Sequence, residues 1–325
     1  MMKTLEEANK EAIDNRSNPA ADSLLGKYFP VLDYGFVGLV DYMGNDKAIA
    51  DAARCSYGAG TKTINDDRNL VRYLKRHHHT SPIEQCELKF HMRLPIFIAR
   101  QIIRHRMVSL NEYSGRYSVM PLQFYTPKAE NINNQSTTNK QGRSAESAIN
   151  KQRFLDNTSA LRDMISNHYK WCLEEDIARE LARIDLPLST YTEWYWKMDL
   201  HNLMHFMKLR CDSHAQWEVQ EFSRAVARIV KAAFPLSFDA WYDYQYQAVS
   251  FSRLDRILLN KISNGGVTEE FAISIGMSKR EYSEFHEKLR PPMEESFEID
   301  LSIAQTPEYF ANINSQFVPM IGSDK

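Results

Sequence analysis

No uninterrupted apolar run in the chain is long enough to cross a bilayer, and the N-terminus, Met1 to Asn18, is charged where a secretory signal would be apolar. Both absences argue against an exported or membrane-embedded protein and make the cytoplasm the expected location. Cysteine is scarce: Cys55, Cys86, Cys172 and Cys211 lie far apart with no CxxC pair, which argues against disulfides and a structural zinc site. There is no GxGxxG sequence to mark a Rossmann unit, and no internal repeat. Nor is there a charge excess. A formal net charge of −2 gives no global reason to bind nucleic acid or an anionic membrane, so any anion chemistry has to be local. What the chain does have is 325 residues, 43% of them hydrophobic, enough to bury a substantial core as one large domain or one domain with additions.

Periodicity divides the chain. Residues 1–30 read as a polar lead-in, and Phe36 to Met43 as a strand. Asn45 is placed to cap a helix carrying Ala48, Ile49, Ala52 and Ala53. A second helix is expected over Asp67 to Arg76, with Leu70, Val71 and Leu74 inward. Ser81-Pro82-Ile83-Glu84 has the form of a capping box opening a short helix. Glu87 to Leu94 alternates, Leu88, Phe90, Met92 and Leu94 on one face and Glu87, Lys89, His91 and Arg93 on the other, as a half-buried strand does. Pro95 then opens a helix expected to carry Gln101 and Arg104 on one face. Residues 128–150 turn to Asn, Gln, Ser, Thr and Lys, a mobile surface insertion in which little function is expected. Helical patterning runs from about Phe154 to Leu181, resumes with Leu200, Leu203, Met204 and Met207, and continues with Val219, Phe222, Val226, Ile229 and Ala233 up to Pro235. A small helical unit is expected around Met277 to Leu289. Strands and helices do not alternate as βαβ units. The expected fold is therefore α+β, a mixed or antiparallel sheet packed with helices and a largely helical second half. The main domain spans 31–250, and 251–325 is a C-terminal helical extension.

Chemistry concentrates between Arg93 and Arg116, where Arg93, Arg100, Arg104, Arg106 and Arg116 occur without a lysine. The planar guanidinium fork suits phosphates and carbonyl edges, so the choice points to recognition. The segment Arg104-His105-Arg106-Met107-Val108-Ser109-Leu110-Asn111-Glu112-Tyr113-Ser114-Gly115-Arg116 passes from helix to a Gly-containing loop, which can offer backbone N–H groups, hydroxyls and guanidinium forks to one phosphate. A basic surface helix followed by a solvated loop is the plainer alternative. Ser114 has no histidine–carboxylate relay beside it, which favours binding over a nucleophilic role. The histidines offer a second reading: His77 with His79, or His201 with His205 and Asp199, as ligands of a metal-dependent hydrolase. Arginines interleaved with Tyr113, Tyr117, Phe124 and Tyr125 offer a third, an RNA-binding module.

Every fixed position of the pattern RHRxxSxNExSxR is present from Arg104 to Arg116, and in this the chain resembles the flavin-dependent thymidylate synthases, the ThyX family. The similarity extends in order through Ala53-Arg54-Cys55-Ser56, His77 to Glu84, Gln101, Arg183 to Leu188, and Leu209 to Gln216, roughly residues 35 to 245. The resemblance implies reductive methylation of dUMP to dTMP, with methylenetetrahydrofolate as carbon donor and NADPH, through FAD, as hydride source. It implies that Arg104, His105 and Arg106 contact the flavin with Ser81 and Glu112. It implies that Gln101, Ser114, Gly115, Arg116, Arg183 and Arg210 hold dUMP, with Arg104 and Glu112 serving both ligands. Asp199, His201 and His205 occupy a third flavin region where the family varies, and this chain carries the histidine version. Arg210 is expected to be the catalytic group, stabilising negative charge on the uracil ring. No metal is implied, and the family's assembly implies a homotetramer with sites shared between subunits.

Overall fold

The computed structural model describes residues 17–56, 66–137, 141–263 and 265–319, with Lys10 besides. By packing, the chain divides into two units, Met1–Ser237 with Phe297–Lys325, and Phe238–Ser296.

The first unit is built on a five-stranded sheet. Its strands are β1 (Tyr28–Val31), β2 (Gly35–Met43), β3 (Glu87–Pro95), β4 (Ser109–Glu112) and, after the short pair β5 (Asn133–Gln135) and β6 (Arg143–Ser147), β7 (Tyr191–Asp199). The order is β1-β2-β3-β7-β4 and every pairing is antiparallel, so the class is α+β as expected. β1 and β2 turn tightly through Leu32, at φ +64°. Gly35 is required there because an added Cβ would lie 2.6 Å from Val31 O and 2.8 Å from Arg93 O.

β3 sits at the centre. Leu88, Phe90, Met92 and Leu94 are fully buried, as the alternation predicts. Arg93 departs from that pattern and is 1% exposed on the opposite face. Its register partner on β7 is Glu193, whose Oε1 accepts from Arg93 Nε at 2.8 Å and Nη2 at 2.6 Å, while His91 Nε2 meets Oε2 at 3.1 Å. A buried charge persists when it is paired this closely.

The helices of this unit are α1 (Asp46–Arg54), α2 (Asp67–Arg76), α3 (Ile96–Ile102), α4 (Lys151–Glu174), α5 (Arg179–Ala182), α6 (Leu200–Arg210) and α7 (Trp217–Ala233). Asn45 caps α1 by accepting from Ala48 N, and Asp66 caps α2 through Asn69 N. α7 buries Val219, Phe222, Val226, Ile229 and Val230 against β1, β2, α3 and α6. The helical stretch expected to run to Leu181 breaks at Asp176, which takes φ +58° between α4 and α5. The box expected at Ser81 does not form. Ile83–Gln85 is a single 3-10 turn without a side-chain cap, and Ser81 contributes only its carbonyl, to Gln85 Nε2. Residues 133–135 and 143–147 of the polar insertion pair as an antiparallel ribbon. At the far sheet edge, Tyr28 exchanges both backbone hydrogen bonds with Gln305, covering β1.

The second unit has its own small core of Leu258, Ala272, Met277 and Phe285. It comprises α8 (Arg253–Ser263), α9 (Glu269–Ser274) and α10 (Lys279–Lys288), the last opened by a capping box between Ser278 and Glu281. Lys288 pairs with the buried Asp255 at 2.6 Å.

Candidate active site

The motif residues fall on the open edge of the sheet. α3 ends at Ile102, so Arg104 lies in the turn beyond it and not on the helix face with Gln101. The chain then enters β4, which pairs with the C-terminal part of β7: Ser109 opposes Lys197 and Glu112 opposes Trp194. Three strand steps separate the two ends, roughly 10 Å, and a cluster forms at each.

At the His105 end stands Arg210, the last residue of α6. Its Nε donates to His105 Nε2 at 3.0 Å and its Nη2 to the Gln101 carbonyl at 3.4 Å. A guanidinium can only donate, so His105 Nε2 must hold its lone pair and Nδ1 the proton. Burial, then the charges of Arg210 and His205, pushes the His105 pKa down to about 4. His105 is thus a neutral acceptor that fixes the direction of Arg210. The rings of Phe206 and His205 stand edge-on to it at 5.0 and 6.1 Å.

At the Glu112 end a cleft of about 530 Å³ is lined by Glu112, Ser114, Gly115, Glu180, Arg183 and Thr192, among others. Thr192 Oγ1 donates to Glu112 Oε1 at 2.8 Å, and Arg116 N to Ser114 Oγ at 3.3 Å. Arg116 ion-pairs with Glu180 at 3.2 Å. Gly115 is buried, and a Cβ there would meet Met120 Sδ at 2.8 Å and Arg183 Cδ at 3.0 Å. Of the lining groups, the Arg183 guanidinium, the Ser114 hydroxyl and the Gly115 wall suit a phosphate monoester, whereas Glu112 and Glu180 can only accept, and Glu180 already holds the neighbouring Arg116.

Other anticipated residues lie apart. Asp199 is the N-cap of α6, with one oxygen accepting from Asn202 N and the other from Asn202 Nδ2. His201, two residues on, keeps a buried Nδ1 without a hydrogen-bond partner among the described residues. Ser81 is exposed on the turn before Ile83. Arg104 and Arg106 are exposed and make no hydrogen bond or ion pair among the described residues. His77 and His79 flank the Tyr73 ring at 4.5 and 5.9 Å, and no group of three or more metal-ligating side chains occurs among the described residues, so the hydrolase reading gains no support.

Two groups were absent from the sequence-based expectation. Gln216 accepts from Gln101 Nε2 at 2.6 Å, and the buried Glu218 accepts from Gln216 Nε2 at 2.9 Å. Their partners are more than 100 residues away for Gln101 and Gln216, beyond the reach of any periodicity.

Residues 38–236 match the family described as thymidylate synthase complementing protein. The flavin-dependent thymidylate synthase of Wolbachia pipientis wMel is 45% identical over 265 residues, covering 81% of this chain and 92% of that one. The chain belongs to the flavin-dependent thymidylate synthase family. The Rickettsia conorii flavin-dependent thymidylate synthase is likewise 45% identical, over 82% of this chain and 95% of its own. Among solved structures, a UMP/dUMP methylase, PolB from Streptomyces cacaoi, bound with 5-Br dUMP, aligns at a TM-score of 0.61 and 30% identity, over 67% of this chain and 99% of that one. The family match takes in β3, β4, β7 and most of β2, the arginine-rich edge and α6, and leaves out β1 and Phe238–Ser296.

Proposed function

We propose that this chain converts dUMP to dTMP with FAD bound at the sheet edge, taking the carbon from methylenetetrahydrofolate and the hydride from NADPH. The observation that carries the reading is the pair of clusters bridged by β4: a cleft that brings together the Arg183 guanidinium, the Ser114 hydroxyl and Gly115 at one end, and an oriented guanidinium at the other. The donor set also suits a flavin dinucleotide. Exposed Arg104 and Arg106 have donors to give to its diphosphate, and the orphaned His201 Nδ1 offers a partner for a polar edge. When bound, the flavin supplies the hydride chemistry.

The protein's own part follows from geometry. Ser114, Arg116 and Arg183 hold the phosphate, and Glu112 accepts from a ribose hydroxyl. Arg210, its Nε tied to His105, turns its remaining N–H groups toward the pyrimidine and stabilises negative charge developing on the carbonyl and N3 edge. The reading calls on no cysteine: Cys86, Cys172 and Cys211 are buried, with burial pushing the Cys86 thiol up to about 12, and the exposed Cys55 is the C-cap of α1. Ser81, Asp199, His201 and His205 complete the flavin environment in this reading. Homotetramer assembly is supported by a stripe on α4, where Phe154, Leu161, Met164 and Trp171 recur on one face and are each about half exposed or more.

The test is dUMP-dependent NADPH oxidation by the purified protein in the presence of methylenetetrahydrofolate, with dTMP measured as product. Oxidation without dTMP formation, or dTMP formation by flavin-free protein, overturns the reading.

A further inference from the structure

A chain of hydrogen bonds runs from the polar insertion to Gln101. Arg143 on β6 donates its Nη2 to both oxygens of Glu218 at 2.6 Å and its Nη1 to the Asn131 carbonyl at 2.7 Å. Its guanidinium also lies over the Trp217 ring at 5.8 Å. Glu218 is 3% exposed and accepts a further hydrogen bond from Tyr125 OH at 3.0 Å. Gln216 Nε2 supplies its last donor, and Gln216 Oε1 in turn takes one from Gln101 Nε2.

The direction of this chain is set at its buried end. A carboxylate paired with arginine has acceptors only, so Gln216 must turn its NH2 inward and its oxygen outward. Gln101 must then turn its own NH2 toward that oxygen. A primary amide is nearly symmetric in shape and its orientation is decided by its partners. We propose that the Arg143–Glu218 ion pair, acting through Gln216, orients the Gln101 carboxamide so that it presents its oxygen, an acceptor, to the nucleotide. Gln101 Oε1 accepts no hydrogen bond among the described residues. It is complementary to a donor such as the uracil N3–H or the ribose hydroxyl, and repels a carbonyl or phosphate oxygen. Residues 143 and 218 are then positioning residues, and the polar insertion contributes to substrate recognition without touching substrate.

The inference rests on the proposed placement of dUMP beside Gln101, and the experiment separates the two. Calorimetric dUMP affinity of the flavin-loaded protein is measured for Gln101→Ala, Gln216→Met, Glu218→Gln and the doubles of the last two with Gln101→Ala. Gln216→Met cuts the chain while sparing the buried ion pair, which guards against a folding defect in Glu218→Gln. Each single variant is expected to raise the dUMP Kd roughly 3- to 10-fold, the value of one hydrogen bond, with flavin content unchanged. In the Gln101→Ala background the Gln216 and Glu218 substitutions should add nothing. If Gln101→Ala leaves dUMP affinity intact, the placement of dUMP is wrong. If Gln101→Ala weakens dUMP but Gln216→Met does not, or if the effects add fully in the doubles, the orienting chain is wrong.

Discussion

Lys75, on the last turn of α2, is 3% exposed, and its one hydrogen bond among the described residues is to Met204 Sδ at 3.1 Å. Burial lowers its pKa from 10.5 to about 7. The folded-state value lies below the unfolded one, so the unfolded chain binds the extra proton. The resulting penalty is fully present below about pH 7 and is lost as pH rises toward the unfolded value. At 1.36 kcal/mol per unit the gap amounts to about 4–5 kcal/mol at pH 7 or lower, falling to about 2 kcal/mol at pH 9. Lys75→Met keeps the chain length and replaces the ammonium by a group suited to its surroundings. It should therefore stabilise the protein, raising Tm by roughly 5 °C at pH 7 and by about half as much at pH 9. Thermal unfolding of both proteins across pH 6–9.5, with flavin content held equal, is the assay. A gain independent of pH would refute the buried-cation argument. A loss of stability at every pH would show that the ammonium has a partner that compensates its burial.

The other predictions bear on the site. Arg210→Ala should retain flavin yet lose turnover by a factor on the order of 10² to 10³, whereas Arg104→Ala should release flavin at lower dilution, read from the absorbance of the dialysed protein. Gly115→Ala should raise the KM for dUMP with little change in flavin content, because its Cβ would press on Met120 and Arg183 at the cleft wall; steady-state kinetics decides. His105 should stay neutral until pH approaches 4, followed through its imidazole resonances in NMR. A midpoint near 6.5 would mean that it does not accept from Arg210.

Much of this architecture is legible in the sequence, and unevenly so. α2 was delimited from its apolar spacing, and β3 from strict alternation, because both have one buried face. β7 does not stand out in the sequence although Tyr191, Trp194, Trp196 and Met198 alternate with Glu193, Tyr195 and Lys197. The aromatic Tyr195 on the exposed face blurred the contrast. The four-residue strands β1 and β4 are too short for a period to show. At the site, the run from Arg104 to Arg116 announced itself through residue types held at fixed spacing. Gln216 and Glu218 did not, since what gives them meaning is a contact with Gln101 and Arg143 that exists only once α3, α7 and the β5–β6 ribbon are folded together. Arg93 misled for the same reason: its burial depends on Glu193, 100 residues away.

The central claim is that one sheet edge holds both ligands, with Ser114, Arg116 and Arg183 on the phosphate and Arg210 on the pyrimidine. A crystal structure of the flavin-loaded protein with dUMP tests it directly. The account predicts the phosphate within hydrogen-bond distance of Ser114 Oγ and Arg183, and Arg210 facing the carbonyl and N3 edge of the uracil. A nucleotide seated away from the cleft, or a pyrimidine with Arg210 turned from it, would contradict the account.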